Sequence, residues 1–166
     1  MAQNFLDEPY VVTTILNQAF NDQSPVHPVY TRQVEMATSV GSTAYALQFG
    51  AAFTHLTEDM LSTKLMGNLG LFPNQGLQAT LKNYLVLVGK ANVGIVALQL
   101  GQLLSGLENA SGDQAAFSAA AVAWNKEVVD AYAYSSNPAN VYGPPVGNNV
   151  TLTGVEVVDP TSWAAA

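Results

Sequence analysis

The sequence contains no cysteine, which excludes disulfides, thiolate metal sites and cysteine nucleophiles together. Charge is scarce as well: Asp, Glu, Lys and Arg make up 10% of the 166 residues, against roughly a quarter in ordinary soluble domains. Positive charge is scarcest. Arg32, Lys64, Lys82, Lys90 and Lys126 stand singly against 12 acidic residues, for a net charge of −7. Without a run of cations to neutralise phosphates, nucleic-acid binding is excluded as a working role, and direct attraction to an anionic membrane is disfavoured. Long hydrophobic runs are missing too. The most apolar windows, "LVLVG" (85–89) and "VGIVALQLGQLL" (93–104), are parted by Lys90 and Asn92 and fall short of the roughly 18 to 20 residues a bilayer demands. No transmembrane segment is expected. The opening "MAQNFLDEPYVVTT" has no basic region and no apolar core ahead of Asp7 and Glu8, so it does not read as a secretory signal.

What is present is apolar and helical. Hydrophobic residues reach 49%, leaving Asn, Gln, Ser and Thr to supply the polar surface. Asp7 and Pro9 mark the start of a first helix running to about Phe20. "NDQSPVHP" (21–28) breaks it, and a second helix covers about Val29 to Ala37, ahead of Gly41. "STAYALQFGAAFTH" is a third, and Thr57 caps a fourth whose first turn carries Glu58 and Asp59. Leu77, Leu81, Tyr84, Leu85 and Val88 recur on one face of a fifth, opened by "FPNQG". Ile95, Leu98, Leu103 and Leu107 do so on a sixth, the two being joined at "GKAN" with Gly89 as a left-handed cap. Asp113 starts a long last helix with Phe117, Ala120, Ala121, Trp124, Val128 and Tyr132 in register. Small residues on helix faces (Gly50, Ala51, Ala52; Gly94, Ala97, Gly101; Ala119 to Ala121) allow close helix approach. The expected fold is therefore mainly α. A bundle of about six to seven amphipathic helices fills residues 1–134, and residues 135–166 form a Pro/Gly-rich linker and one C-terminal strand. That strand, "VTLTGVEVV" (150–158), alternates at period two and needs a partner to be stable.

Catalytic chemistry does not emerge. His27 lies between prolines, and His55 sits at a helix end beside Glu58 and Asp59, too small a ligand set for zinc. No nucleophile elbow, phosphate loop or dinucleotide fingerprint occurs. Glu58 with Asp59, and Glu127 with Asp130, read as solvated helix faces beside Lys64 and Lys126. "ENASGD" (108–113) lacks the alternating ligands and terminal glutamate of a calcium loop and reads as a turn and cap. No catalytic residue, cofactor site or metal ligand is assigned, and the chain is expected not to be an enzyme.

Between Leu61 and Tyr134, the stretches "NLGLFPNQGL" and "AVAWNKEVVDAYA" together give a run that resembles the N-terminal helical domain of bacterial surface-layer (S-layer) and RTX-type proteins, the DUF4214-like group secreted by type I systems. In the second stretch Asn125, Lys126, Glu127 and Val128 are the matching positions. Pro73-Asn74-Gln75-Gly76 stands where that family has Pro-Asp-x-x-Gly, and the calcium-binding nonapeptide repeats are absent. The resemblance implies an extracellular, cell-surface structural protein that self-assembles or attaches to lipopolysaccharide, with calcium as a supporting ion. A homo-oligomer or surface lattice is the expected partner state. An alternative is a fibre subunit that donates its terminal strand to a neighbour, with Val150, Leu152, Val155, Val157 and Trp163 as the assembly residues. A third reading is a small-ligand carrier or enzyme with an interhelical cavity lined by Tyr45, Tyr84 and His55.

Overall fold

A computed structural model describes residues 8–71, 74–141 and, as backbone, 146–147. Its elements in chain order are α1 (Pro9–Asn21), β1 (Gln23–Ser24), α2 (His27–Val40), α3 (Ser42–Ala51), α4 (Glu58–Asn68), α5 (Gln75–Val88), α6 (Val93–Ser105), α7 (Ser118–Ser136) and β2 (Val146–Gly147). Short 3-10 turns at Lys90–Asn92 and Gly112–Phe117 precede α6 and α7. The mainly α bundle expected from periodicity is the fold observed.

Helix α1 is the axis. Every residue from Val11 to Phe20 is buried, because α2, α3, α4, α6 and α7 all pack against it. A helix enclosed on all sides carries apolar residues all round, and its polar residues need internal partners. Thr13 and Thr14 donate back to the Pro9 and Tyr10 carbonyls, at 2.7 and 2.8 Å. Asn17 Nδ2 donates to the Thr13 carbonyl and to Gln33 Oε1, each at 2.9 Å. Gln18 Nε2 donates to the Gln23 carbonyl (2.7 Å) and to Ser24 Oγ (3.1 Å). Asp7 lies outside the described residues; Pro9 occupies the first helical position, where its missing N–H costs nothing.

Capping signals place two further helices. Thr57 Oγ1 accepts from the Met60 N–H at the head of α4, and Asn74 Oδ1 accepts from the Leu77 N–H at the head of α5. Asp113 does not cap the last helix. It falls inside the 3-10 turn, and α7 starts after Phe117 with no side-chain cap. α2 begins at His27 and runs to Val40, longer at both ends than proline counting implies, since His27 N–H finds the Asn140 carbonyl at 2.8 Å. Helix α7 extends to Ser136, and the segment after it folds back. Ser135 Oγ donates to the Pro25 carbonyl at 2.7 Å, and β2 pairs antiparallel with β1, Gln23 opposite Gly147 and Ser24 opposite Val146. The strand expected at 150–158 lies outside the described residues.

Helices α3 and α6 meet at glycine. A Cβ on Gly94 would stand 1.9 Å from the Ala46 carbonyl oxygen, and one on Gly50 would stand 2.6 Å from the Gly94 nitrogen. Gly101 opens room for the Trp124 indole, whose Nε1 donates to the Gly101 carbonyl at 3.1 Å. The small-residue stripes are thus packing surfaces. Replacing Gly94 by Ala must force the two backbones apart, with an expected loss of at least about 3 kcal/mol in urea unfolding. Gly106→Ala, whose Cβ meets nothing nearer than 3.6 Å, should change stability little. Equal effects would refute this account of the crossing.

Candidate functional site

The site worth building is the apolar cleft between α5 and α6. The two helices are bent by 108° about Gly89, whose backbone has φ 89° and ψ 141°. This is a positive-φ corner that suits glycine, but its ψ is extended, so it is not the left-handed helical cap expected from the sequence. Two side chains lock the corner. Asn92 Nδ2 donates to the Val88 carbonyl at 2.7 Å, and Lys90 Nζ donates to the Leu56 carbonyl at 3.0 Å. Because the corner is sharp, α5 packs on α4 rather than lying along α6. A cleft of about 490 Å³ opens between them, lined by Leu77, Leu81, Tyr84, Val96, Leu100 and Leu103 with Thr80, Gln99 and Gln102 at its polar edge.

Large apolar side chains face outward along this part of the molecule. Leu87 is 81% exposed, Leu103 69%, Val86 61% and Tyr84 41%. Single exposed apolar residues are ordinary, but four on two adjoining helices beside an apolar cleft are not. The periodicity of α5 and α6 is correct for Leu81, Leu85 and Leu98, which are buried. It misplaces Leu103 and Tyr84, which share the helical spacing but face the open side of the bend. Among the described residues no single helix is long and apolar enough to cross a membrane; the bent pair passes such a test only by summed length and composition.

The other candidates disperse. Tyr84 lines the cleft, Tyr45 is buried in the core with its hydroxyl pushed up to about 12 by burial, and His55 sits on an exposed turn with Nδ1 3.1 Å from the Ala52 carbonyl. Tyr45 and His55 are not among the described residues that line the cleft. His27 Nδ1 lies 3.0 Å from the Ser135 carbonyl, tying α2 to α7. No group of three or more His, Asp or Glu residues among those described is arranged to hold a metal ion. Val150, Leu152, Val155, Val157 and Trp163 lie outside the described residues.

One carboxylate departs from expectation. Asp130 pairs with Lys126 on the surface, but Glu127 turns inward toward the end of α1. Burial foremost, then the charge of Asp22 and a hydrogen bond with it, raise the Glu127 carboxyl from 4.5 to about 8. Asp22 is held there by a left-handed backbone (φ 52°, ψ 40°) whose N–H closes α1 on the Gln18 carbonyl at 3.0 Å. The sequence offered no sign of this, since residues 22 and 127 meet only through the packing of α7 on the end of α1.

Comparison with protein-family models, with curated proteins and with solved structures returned no match.

The raised carboxyl makes a pH prediction. The folded chain retains a proton on Glu127 that the unfolded chain releases near 4.5, so folding binds protons between the two values. Stability should fall as pH rises from about 4.5 to about 8 and be insensitive to this group above that range. Glu127→Gln, which keeps a hydrogen bond without the charge, should flatten this slope and raise the urea midpoint most on the alkaline side. The effect has an upper scale of roughly 5 kcal/mol, at 1.36 kcal/mol per pH unit of displacement from 4.5 to about 8. Parallel pH–stability curves for the two proteins would disprove the assignment.

Proposed function

We propose that this chain is a non-enzymatic assembly module of a cell-surface protein, and that it works by self-association through the open face of α5 and α6. The observation that carries this reading is the exposure of Tyr84, Val86, Leu87 and Leu103 on two adjoining helices, Tyr84 and Leu103 lining a cleft with no charged residue in its described lining. The identity of the occupant follows from charge. Two copies of a chain with net charge −7 repel over most of their surfaces. Between residues 71 and 109 only Lys82, Lys90 and Glu108 are ionised, and Lys82 is engaged with Asp59 at 3.8 Å. The α5–α6 face is therefore where two copies meet with least like-charge contact and most apolar area to remove from water. A two-fold arrangement would set each protomer's Leu87 and Leu103 on the same patch of the other.

The resemblance to S-layer and RTX-type helical domains supports an extracellular setting. In that setting the module attaches to the outer-membrane glycolipid and calcium assists the lattice. The sparse charge and missing cysteine agree with it. Fibre formation through the terminal strand remains the alternative route to assembly. A different reading, favoured by the cleft volume of about 490 Å³, is carriage of a small apolar ligand between α5 and α6.

Sedimentation velocity over a concentration series, with and without calcium, tests the proposal. The wild-type chain should sediment faster as concentration rises. Leu87→Glu with Leu103→Glu should weaken association at least about tenfold while leaving the helical circular dichroism intact, because both side chains are already exposed. A wild-type chain that stays monomeric throughout sinks the self-association reading. A bound lipid or small molecule in the native mass spectrum, displaced by the same double variant, would move the conclusion to ligand carriage.

A further inference from the structure

A second cavity, of about 460 Å³, lies on other elements, where the start of α1, one side of α2 and the last turns of α7 come together. Tyr10 and Tyr132 form a corner in it, their ring centroids 5.7 Å apart and their planes inclined at 46°. Tyr30 forms the floor. It is 4% exposed, its hydroxyl donates to the Tyr10 carbonyl at 2.9 Å, and the Thr14 hydroxyl lies 3.0 Å away. Those bonds fix the Tyr30 ring and tie Tyr10 to α2. His27 also lines the cavity, with Nδ1 on the Ser135 carbonyl and Nε2 3.4 Å from the Thr31 hydroxyl, so both ring nitrogens are already engaged.

Among the described residues of this lining Glu35 is the only acidic one, and none is a lysine or arginine. The ion pairs among the described residues join Lys82 to Asp59 and Lys126 to Asp130, and neither involves Glu35. The cavity thus combines three aromatic rings with one carboxylate that has no cation against it. An anion would meet both Glu35 and the negative field of the whole chain. A neutral apolar molecule would gain from the rings but nothing from the Glu35 carboxylate or from the negative field of the chain. A cation with an apolar coat satisfies both parts, its charge against the carboxylate and its alkyl groups on the electron-rich ring faces.

We propose that this cavity binds a small organic cation, an alkylated ammonium group, between Glu35 and the Tyr10–Tyr132 corner. The ligand rests on residues remote in sequence from the α5–α6 cleft, so the inference stands or falls separately from self-association.

Choline and its uncharged isostere 3,3-dimethylbutan-1-ol, titrated into the full chain and followed by NMR, decide it. Choline should bind with a preference of about fivefold to tenfold over the alcohol, and shifts should concentrate at Tyr10, Tyr132 and Glu35. Glu35→Gln, a change at an exposed position that should not disturb folding, should weaken choline by about fivefold and leave the alcohol unaffected. Tyr132→Leu should abolish the preference; if that variant unfolds, Glu35→Gln still decides. Phosphatidylcholine vesicles distinguish the source of the ammonium group. Binding of free choline supports a free amine, and binding of vesicles alone supports a lipid headgroup. Equal affinity for choline and the alcohol, no binding to choline or vesicles, or indifference to Glu35→Gln would overturn the proposal.

Discussion

Helix α1 has no face turned to water, and the rest of the molecule is arranged to meet that condition. An enclosed helix can keep a polar side chain only if a neighbour or its own backbone bonds it. The threonines of α1 turn back on the preceding carbonyls, while Asn17 and Gln18 reach out to Gln33, Gln23 and Ser24. These outward bonds set the rotation of α1 relative to α2 and fix the path of the chain at β1. Apolar contact alone would permit several rotations of similar energy; directed bonds from buried amides select among them. Gln18 Oε1 is a buried side-chain oxygen without a hydrogen-bond partner among the described residues, so the selection is made at some cost.

Enclosing α1 demands that its neighbours crowd together, which explains the glycine content of α3 and α6. Where Gly94 passes Ala46 there is no space for a side chain, and where Gly101 passes Trp124 the missing Cβ makes room for an indole. Aromatic rings fill the remaining volume: Phe20 stacks on Phe53 with centroids 4.7 Å apart, and Phe49 lies against both. With so much apolar surface committed to the interior, the outward-facing leucines and valine of α5 and α6 stand out as material the core did not use.

Local signals in the sequence predicted the helices well, because helix starts and periods are set by nearby residues. Thr57, Asn74 and Pro9 each act at the helix they head, and Leu81, Leu85, Trp124 and Val128 are buried as their spacing implies. Facts that depend on contacts across the chain were not legible. Leu103, which falls near the Leu98 spacing, lies about 140° round α6 from it, and the angle at Gly89 leaves that side of the helix open. Glu127 reads as a surface carboxylate beside Lys126, and only the arrival of Asp22 from the far end of α1 makes it otherwise. The tyrosine corner draws on residues 10, 30 and 132, separations no spacing rule covers.

The bonds between the ends of the described chain bear on how the polypeptide comes to be folded. Ser135 and Pro25, like Ser135 and His27, join segments more than a hundred positions apart, and α7 supplies one wall around α1. A ribosome delivers α1 early and α7 late, so the helix most enclosed in the folded protein must wait, unsheltered, for nearly the whole domain to emerge. Closing so large a loop is entropically expensive, and this step should come late in folding. Until then the apolar side chains of α1 face water, the condition under which incompletely folded chains are most exposed to aggregation.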